Sequence, residues 1–167
     1  MLREYICRLL ILAACATAFA SAVAASAPRA TTEPARQSTT GFVLGTWTGT
    51  STCVGVRPAC KNETVVYRFV AIDGHPHQVR LLADKIIDGK RVAMGALVLD
   101  VDEKAGTLRG EFVRGHTHGV WSYSVEGDSM KGTLVRLPEG TVGRDVKTRR
   151  ANDDELPAAP PLSDYDE

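Results

Sequence analysis

The chain has 167 residues, a formal net charge of zero and four cysteines. This length predicts a single domain, and a chain without a basic, aromatic-rich stripe offers no basis for nucleic-acid binding. The charge is unevenly spread, because residues 41–150 contain 16 basic and 12 acidic residues, whereas residues 151–167 contain six acidic residues and no basic one.

The N-terminus has the pattern of a secretory signal peptide over residues 1–24. Two arginines precede an apolar run, and a small-residue triplet at 22–24 marks a cleavage position. We therefore expect an exported protein, periplasmic or extracellular, without a stable membrane span. The alternative is a lipoprotein anchored at Cys15, which follows the short run Leu12-Ala13-Ala14.

Three segments are predicted after the signal peptide. Residues 25–40, rich in Ala, Pro, Ser and Thr, are typical of a disordered linker, and residues 41–150 form the folded domain. The acidic, proline-containing composition of residues 151–167 predicts a disordered tail. Contacts of this tail with the basic residues near 147–150 are expected to be weak, because salt screens exposed charges.

The folded domain shows the period of two that is typical of β-strands. In its first strand, threonines alternate with Trp47, Gly49, Ser51 and Cys53. Similar alternation predicts eight strands, at about 44–53, 62–72, 77–87, 90–101, 106–113, 118–127, 129–137 and 141–150. Of these, residues 77–87 also fit a helix.

The connections favour an all-β, antiparallel up-and-down meander. Asp88-Gly89 is a strong hairpin signal, because both central residues of such a turn need a positive φ. A closed barrel is the preferred arrangement, since closure removes both exposed sheet edges, and a small open β-sandwich is the alternative. Glycines within the strands fit the bends of a small barrel.

Two cysteines remain in the mature chain, Cys53 and Cys60. An even pair in an exported chain predicts a disulfide, with two free thiols as the alternative. Closure of so short a loop would stabilise the fold by roughly 2–3 kcal/mol.

The segment Gly45-Thr46-Trp47 on the first strand, with Lys147-Thr148-Arg149-Arg150 on the last, resembles the calycin group of lipocalin and avidin-like barrels. The resemblance implies that Trp47 packs against Arg149 or Arg150 in a cation–π contact. Two further segments resemble uncharacterised exported bacterial proteins, a likeness that implies no activity. They are residues 83–89 and residues 118–134.

The four histidines form two H-x-H pairs, His75 with His77 and His116 with His118. Such spacing in a strand can serve a metal site. In an eight-strand meander, however, the two pairs fall at opposite ends of the barrel. We therefore expect solvated loop histidines, with no metal site and no cofactor. The alternative is metal binding through the H-x-H pairs, which predicts stoichiometric binding of zinc.

Catalytic patterns are missing from the sequence. It contains no G-x-S-x-G elbow, no phosphate-binding glycine loop and no cysteine left free in the mature chain. We therefore expect a protein that is not an enzyme and has no catalytic residues.

The candidate ligand-binding residues are five aromatics, Trp47, Tyr67, Phe69, Trp121 and Tyr123. They would line a lumen that binds a small, mainly apolar ligand. Three glycines opposite the rings would leave room for it, namely Gly49, Gly110 and Gly132. The structural alternative is that these rings simply fill the core, as side chains do in small barrels. The functional alternative is a secreted interaction or inhibitor module that presents the Cys53–Cys60 loop, with Arg57, to an extracellular protein partner.

Overall fold

The structure, a computed structural model, describes residues 40–55 and 58–165. The predicted signal peptide lies outside these residues, as does the predicted linker apart from Thr40. Eight strands follow one another: Gly45–Cys53 (β1), Glu63–Ala71 (β2), Gln78–Ile87 (β3), Lys90–Asp102 (β4), Thr107–Arg114 (β5), Thr117–Glu126 (β6), Ser129–Leu137 (β7) and Thr141–Ala151 (β8). Each begins and ends within about one residue of its predicted bounds, and residues 77–87 form a strand rather than a helix.

The strands form a closed antiparallel barrel. Each strand pairs with the next along the chain, and β8 pairs with β1. The closing ladder runs from Thr46 opposite Ala151 to Cys53 opposite Arg144. The predicted up-and-down barrel is therefore confirmed, and the open sandwich is excluded.

The two ends of the barrel carry different connections. We call one the disulfide end, because the Cys53–Cys60 bond lies in its β1–β2 connection. It also carries the β3–β4, β5–β6 and β7–β8 connections. The opposite end carries the start of β1, the end of β8 and the three other connections.

The β3–β4 hairpin has the predicted turn. Asp88 has a φ of 50° and Gly89 a φ of 73°, so both central residues are in the left-handed region. This turn matches the twist of the two strands that it joins.

Alternate residues of the strands point inward and form the core. Apolar side chains fill most of this interior, as expected for strands with one buried face. The buried core cluster consists of Val43, Trp47, Val65, Tyr67, Phe69, Val79, Leu81, Leu99, Leu108, Tyr123, Met130 and Val146.

The C-terminal strap, residues 152–165, contacts the outer face of the barrel. It contains two short 3-10 helices, Asp153–Glu155 and Leu162–Tyr165. Asp153 accepts a hydrogen bond from Thr46 Oγ1 at 2.9 Å and pairs with Arg91 at 3.3 Å. The Tyr165 side chain is buried.

The structure differs here from the sequence prediction of a disordered tail, because it gives residues 152–165 a defined path. The partners of the strap are Thr46, Asp84 and Arg91 on β1, β3 and β4, and not the basic residues near 147–150. The acidic composition predicted disorder. Burial of the Tyr165 ring and the hydrogen bonds of the strap offset the conformational entropy that is lost when the tail becomes ordered.

Candidate functional site

A partly open seam lies between β4 and β5. These strands pair through three residue pairs near the opposite end, from Asp100 with Arg109 to Asp102 with Thr107. By comparison, β6 and β7 pair through nine. Toward the disulfide end, the facing edges of β4 and β5 therefore lack a ladder between them.

A bulge in β4 accompanies this opening. Ala83 of β3 pairs with Gly95, but Asp84 pairs with Ala93, so Met94 is an extra residue without a partner on β3. Gly95 has a φ of 130°, which a residue with a side chain rarely adopts. Because an extra residue bends its strand, we attribute the separation of β4 from β5 to this bulge.

A cavity of about 410 Å³ opens at the seam. Small-molecule sites in proteins typically enclose roughly 300–1,000 Å³ and have mostly apolar walls. Strands β2 to β6 supply the walls of this cavity, which are mostly apolar and aromatic. The larger lining side chains are those of Tyr67, Leu81, Met94, Leu97, Phe112, Trp121 and Tyr123.

Three of the five predicted aromatic residues line this cavity. The Trp121 ring stacks on Tyr123 with centroids 5.6 Å apart and an interplanar angle of 12°. Tyr67 meets the same Tyr123 ring edge-on, with centroids 6.1 Å apart. Tyr123 thus holds both neighbours in place, and one face of the resulting cluster borders the cavity.

The other two predicted aromatics belong to the core. Trp47 and Phe69 are fully buried and are not part of the cavity wall. Phe69 packs edge-on against Tyr123, with centroids 6.2 Å apart. These two rings therefore fill the core and do not border the cavity.

Trp47 is held by two groups near the start of β1 and the end of β8. Its Nε1 donates a hydrogen bond to the Val43 carbonyl at 2.8 Å. The guanidinium of Arg150 lies over the indole ring, 4.5 Å from the ring centroid. The sequence left the choice between Arg149 and Arg150 open, and the structure places Arg150 against Trp47.

Arg150 also ties the segment before β1 to the barrel. It donates hydrogen bonds to the carbonyl of Leu44, at 2.8 Å, and to that of Phe42. Its Nε lies 3.1 Å from Asp128 Oδ1 in the β6–β7 turn. One guanidinium therefore joins three parts of the chain at the opposite end.

A small polar network borders the aromatic cluster inside the barrel. The hydroxyl group of Tyr67 interacts with those of Tyr123 and Ser51. Arg144 donates to Ser51 Oγ at 2.7 Å and pairs with Glu63 at 2.9 Å. Burial raises the pKa of both Tyr67 and Tyr123 well above that of an ordinary phenol.

The glycines expected to face the aromatic rings do not create the cavity. The expected space beside Gly132 is occupied by the Tyr123 ring, because a Cβ on Gly132 would lie 2.4 Å from a carbon of that ring. At Gly49 a Cβ would lie 2.1 Å from the Lys147 carbonyl oxygen. These glycines permit close packing, and the free volume lies instead at the β4–β5 seam.

Among the lining residues that sequence analysis missed are Leu81, Met94, Leu97, Phe112 and Arg114. One signal pointed to two of them. Residues 92–99 are an unbroken run of apolar residues and glycine, longer than any such run in the other strands. Such a run indicates a strand in which inward and outward residues do not alternate regularly. In β4 this alternation is interrupted at the bulge.

The histidine pairs lie at opposite ends of the barrel, as the meander predicts. His75 and His77 lie in the β2–β3 connection and His116 in the β5–β6 connection, whereas His118, which was expected in a loop, is the second residue of β6. His118 Nε2 lies 2.5 Å from Glu111 Oε1. Within residues 40–55 and 58–165, no group of three or more His, Cys, Asp or Glu side chains is placed to hold a metal ion.

The predicted disulfide between Cys53 and Cys60 is present. Hydrogen bonds anchor its loop, since the Cys53 amide donates to Asn62 Oδ1 at 2.9 Å and Arg144 donates to the Lys61 carbonyl at 2.9 Å. Arg57 lies outside the described residues. The interaction-module hypothesis, which depends on this residue, therefore stays a prediction.

Comparison with protein-family models, curated proteins and solved structures gives no match for this chain. The resemblance to the calycin group therefore rests on the eight-stranded barrel and on the contact between Trp47 and Arg150. In the part of the chain that the structure describes, no helix has the length and apolar composition required to cross a membrane.

Proposed function

We propose that this protein is an exported, non-enzymatic β-barrel that binds a small, mainly apolar ligand in its lumen, reached through the β4–β5 seam. The observation that carries the proposal is the cavity of about 410 Å³ at that seam. Its aromatic walls favour a ligand with a planar ring, because rings pack well against aromatic faces and edges.

Other features support parts of this proposal. The Cys53–Cys60 disulfide supports export, since disulfides persist in oxidising compartments. The polar side chains of the lining are two tyrosines, Trp121 and Arg114, a set that contains no carboxylate or imidazole to act as the base of covalent catalysis. The contact between Trp47 and Arg150 supports a place among lipocalin or avidin-like barrels.

The neutral fluorophore N-phenylnaphthylamine tests the proposal, because its emission rises in apolar surroundings. We expect saturable binding to the mature protein. Ala83→Leu, which adds volume inside the cavity, should weaken binding about tenfold or more. Ala71→Leu, at the exposed end of β2, is the matched control and should leave binding unchanged.

Two outcomes would contradict the proposal. One is the absence of saturable binding by the unaltered protein. The other is equal binding by Ala83→Leu when its unfolding temperature shows that it is folded. Native mass spectrometry of protein purified from its own compartment would then identify any natural ligand that remains bound.

A further inference from the structure

The wall of the cavity contains one charged side chain, that of Arg114. This residue ends β5 and is exposed at the seam. Its Nη1 donates a hydrogen bond to the Met94 carbonyl at 2.8 Å, so the guanidinium bridges the two separated strands. Among the described residues, this carbonyl is its only hydrogen-bond acceptor, and no carboxylate pairs with it.

The free edge of this guanidinium is suited to an anion. Nη1 is occupied by Met94, whereas Nε and Nη2 have no acceptor among the described residues. Two N–H groups on one edge match two oxygens of a carboxylate or a sulfonate. A neutral ligand at the mouth would displace water from this edge without replacing its hydrogen bonds, which is unfavourable.

The charges around the mouth do not by themselves select an anion. A cleft beside the mouth is lined by Arg114, Lys85 and Asp164, among other residues. Lys85 in turn lies 3.5 Å from Glu63. Glu63 also pairs with Arg144, so charges of both signs surround the mouth. The inference therefore depends on the position of Arg114 directly against the apolar wall and not on the sum of the surrounding charges.

We propose that the ligand is an amphipathic anion. Its planar or apolar body would lie between Met94, Phe112 and Trp121, and its carboxylate or sulfonate would pair with the free edge of Arg114. This inference rests on the proposed function and narrows the chemical class of the ligand.

Two fluorophores with nearly the same ring system separate the apolar contribution from the charged one. N-phenylnaphthylamine is neutral, and anilinonaphthalene sulfonate adds an anionic group. Arg114→Gln should weaken binding of the sulfonate about five- to tenfold at low ionic strength, and should change binding of the neutral probe less than about twofold. Added salt should weaken binding of the sulfonate and leave binding of the neutral probe unchanged.

Arg109→Gln is the matched control, because Arg109 is an exposed arginine on the same strand that does not line the cavity. It should leave the affinity for both probes unchanged. Unfolding temperatures of the two variants check that each is folded. The salt titration of the unaltered protein tests the inference even if Arg114→Gln does not fold.

The outcomes separate this inference from the proposed function. If neither probe binds saturably, both are overturned. If the neutral probe binds but binding of the sulfonate responds neither to salt nor to Arg114→Gln, the anion is excluded while lumen binding stands. If Arg114→Gln weakened binding of both probes equally, the role of Arg114 would be only to hold the seam through its hydrogen bond to Met94. This result would also overturn the inference.

Discussion

The hydroxyl group of Tyr165 lies 2.5 Å from Oδ1 of Asp84, which precedes it by 81 residues. Asp84 is fully buried, and Arg91 donates to its Oδ2 from Nε at 2.9 Å and from Nη2 at 2.7 Å. The end of the C-terminal strap therefore completes a buried polar cluster on the outer face of the barrel.

Removal of the Asp84 carboxylate should destabilise the protein strongly. Asp84→Ala leaves the buried Arg91 guanidinium without its main partner, and we expect the free energy of unfolding in urea to fall by about 3–5 kcal/mol. Tyr165→Phe removes one hydrogen bond to a charged group and should lower it by about 1.5–3 kcal/mol.

The control for this pair is Asp145→Ala, which removes an exposed carboxylate on β8. Its effect should stay within about 0.5 kcal/mol. If Asp84→Ala were no more destabilising than this control, the buried cluster would not contribute to stability as described.

The same cluster predicts a loss of stability at high pH. Burial, with the Asp84 hydrogen bond and charge, raises the pKa of Tyr165 from 10.0 to about 12. Since the unfolded chain loses this proton first, the stabilisation is complete below pH 10 and disappears as the pH rises toward 12.

Urea unfolding at several pH values above 9 would measure this loss. Burial also raises the pKa of Tyr67 and Tyr123, so Tyr165→Phe should make the decline smaller without abolishing it. A decline of the same size in Tyr165→Phe and in the unaltered protein would contradict the assignment to Tyr165.

Arg150 should matter far more to stability than its neighbour Arg149. Arg150→Ala removes the contact with Trp47 and the hydrogen bonds to two backbone carbonyls, so we expect a loss of about 2–4 kcal/mol in denaturant unfolding. Arg149→Ala, at an exposed position, should change stability by less than about 0.5 kcal/mol. Similar losses for both variants would be inconsistent with the contact seen here.

Amide hydrogen exchange should reveal the open seam. Residues 110–114 of β5 lack ladder partners on β4, so their amides that face the seam should exchange quickly, while those bonded to β6 stay protected. Saturation with N-phenylnaphthylamine should slow the fast group. Uniform slow exchange throughout β5 would indicate a closed seam.

Local sequence patterns predicted the strands well. In β3, Val79, Leu81 and Ala83 face the interior while Asp84 faces outward, so the period of two holds although helical spacing also fitted. The Asp88-Gly89 turn followed from backbone chemistry alone. Such features depend on neighbours in the chain and can be predicted without knowledge of distant contacts.

The strap and the seam depend on residues far apart in the chain. Nothing near Tyr165 in the sequence indicates that Asp84 and Arg91 form a buried pair able to receive it. The cavity likewise results from the β4 bulge at Met94 and the missing ladder to β5. Sequence analysis therefore identified Tyr67, Trp121 and Tyr123 as candidate lining residues, but missed the strand edge that opens the cavity.

The most direct test of ligand binding in this cavity is the NMR spectrum of methyl-labelled methionine during titration with N-phenylnaphthylamine. Met94 lines the cavity, whereas Met130 is buried in the core near the β6–β7 turn at the opposite end. We predict a saturable shift of the Met94 methyl resonance and an unchanged Met130 resonance. An unchanged Met94 resonance, or equal shifts of both, would contradict the account.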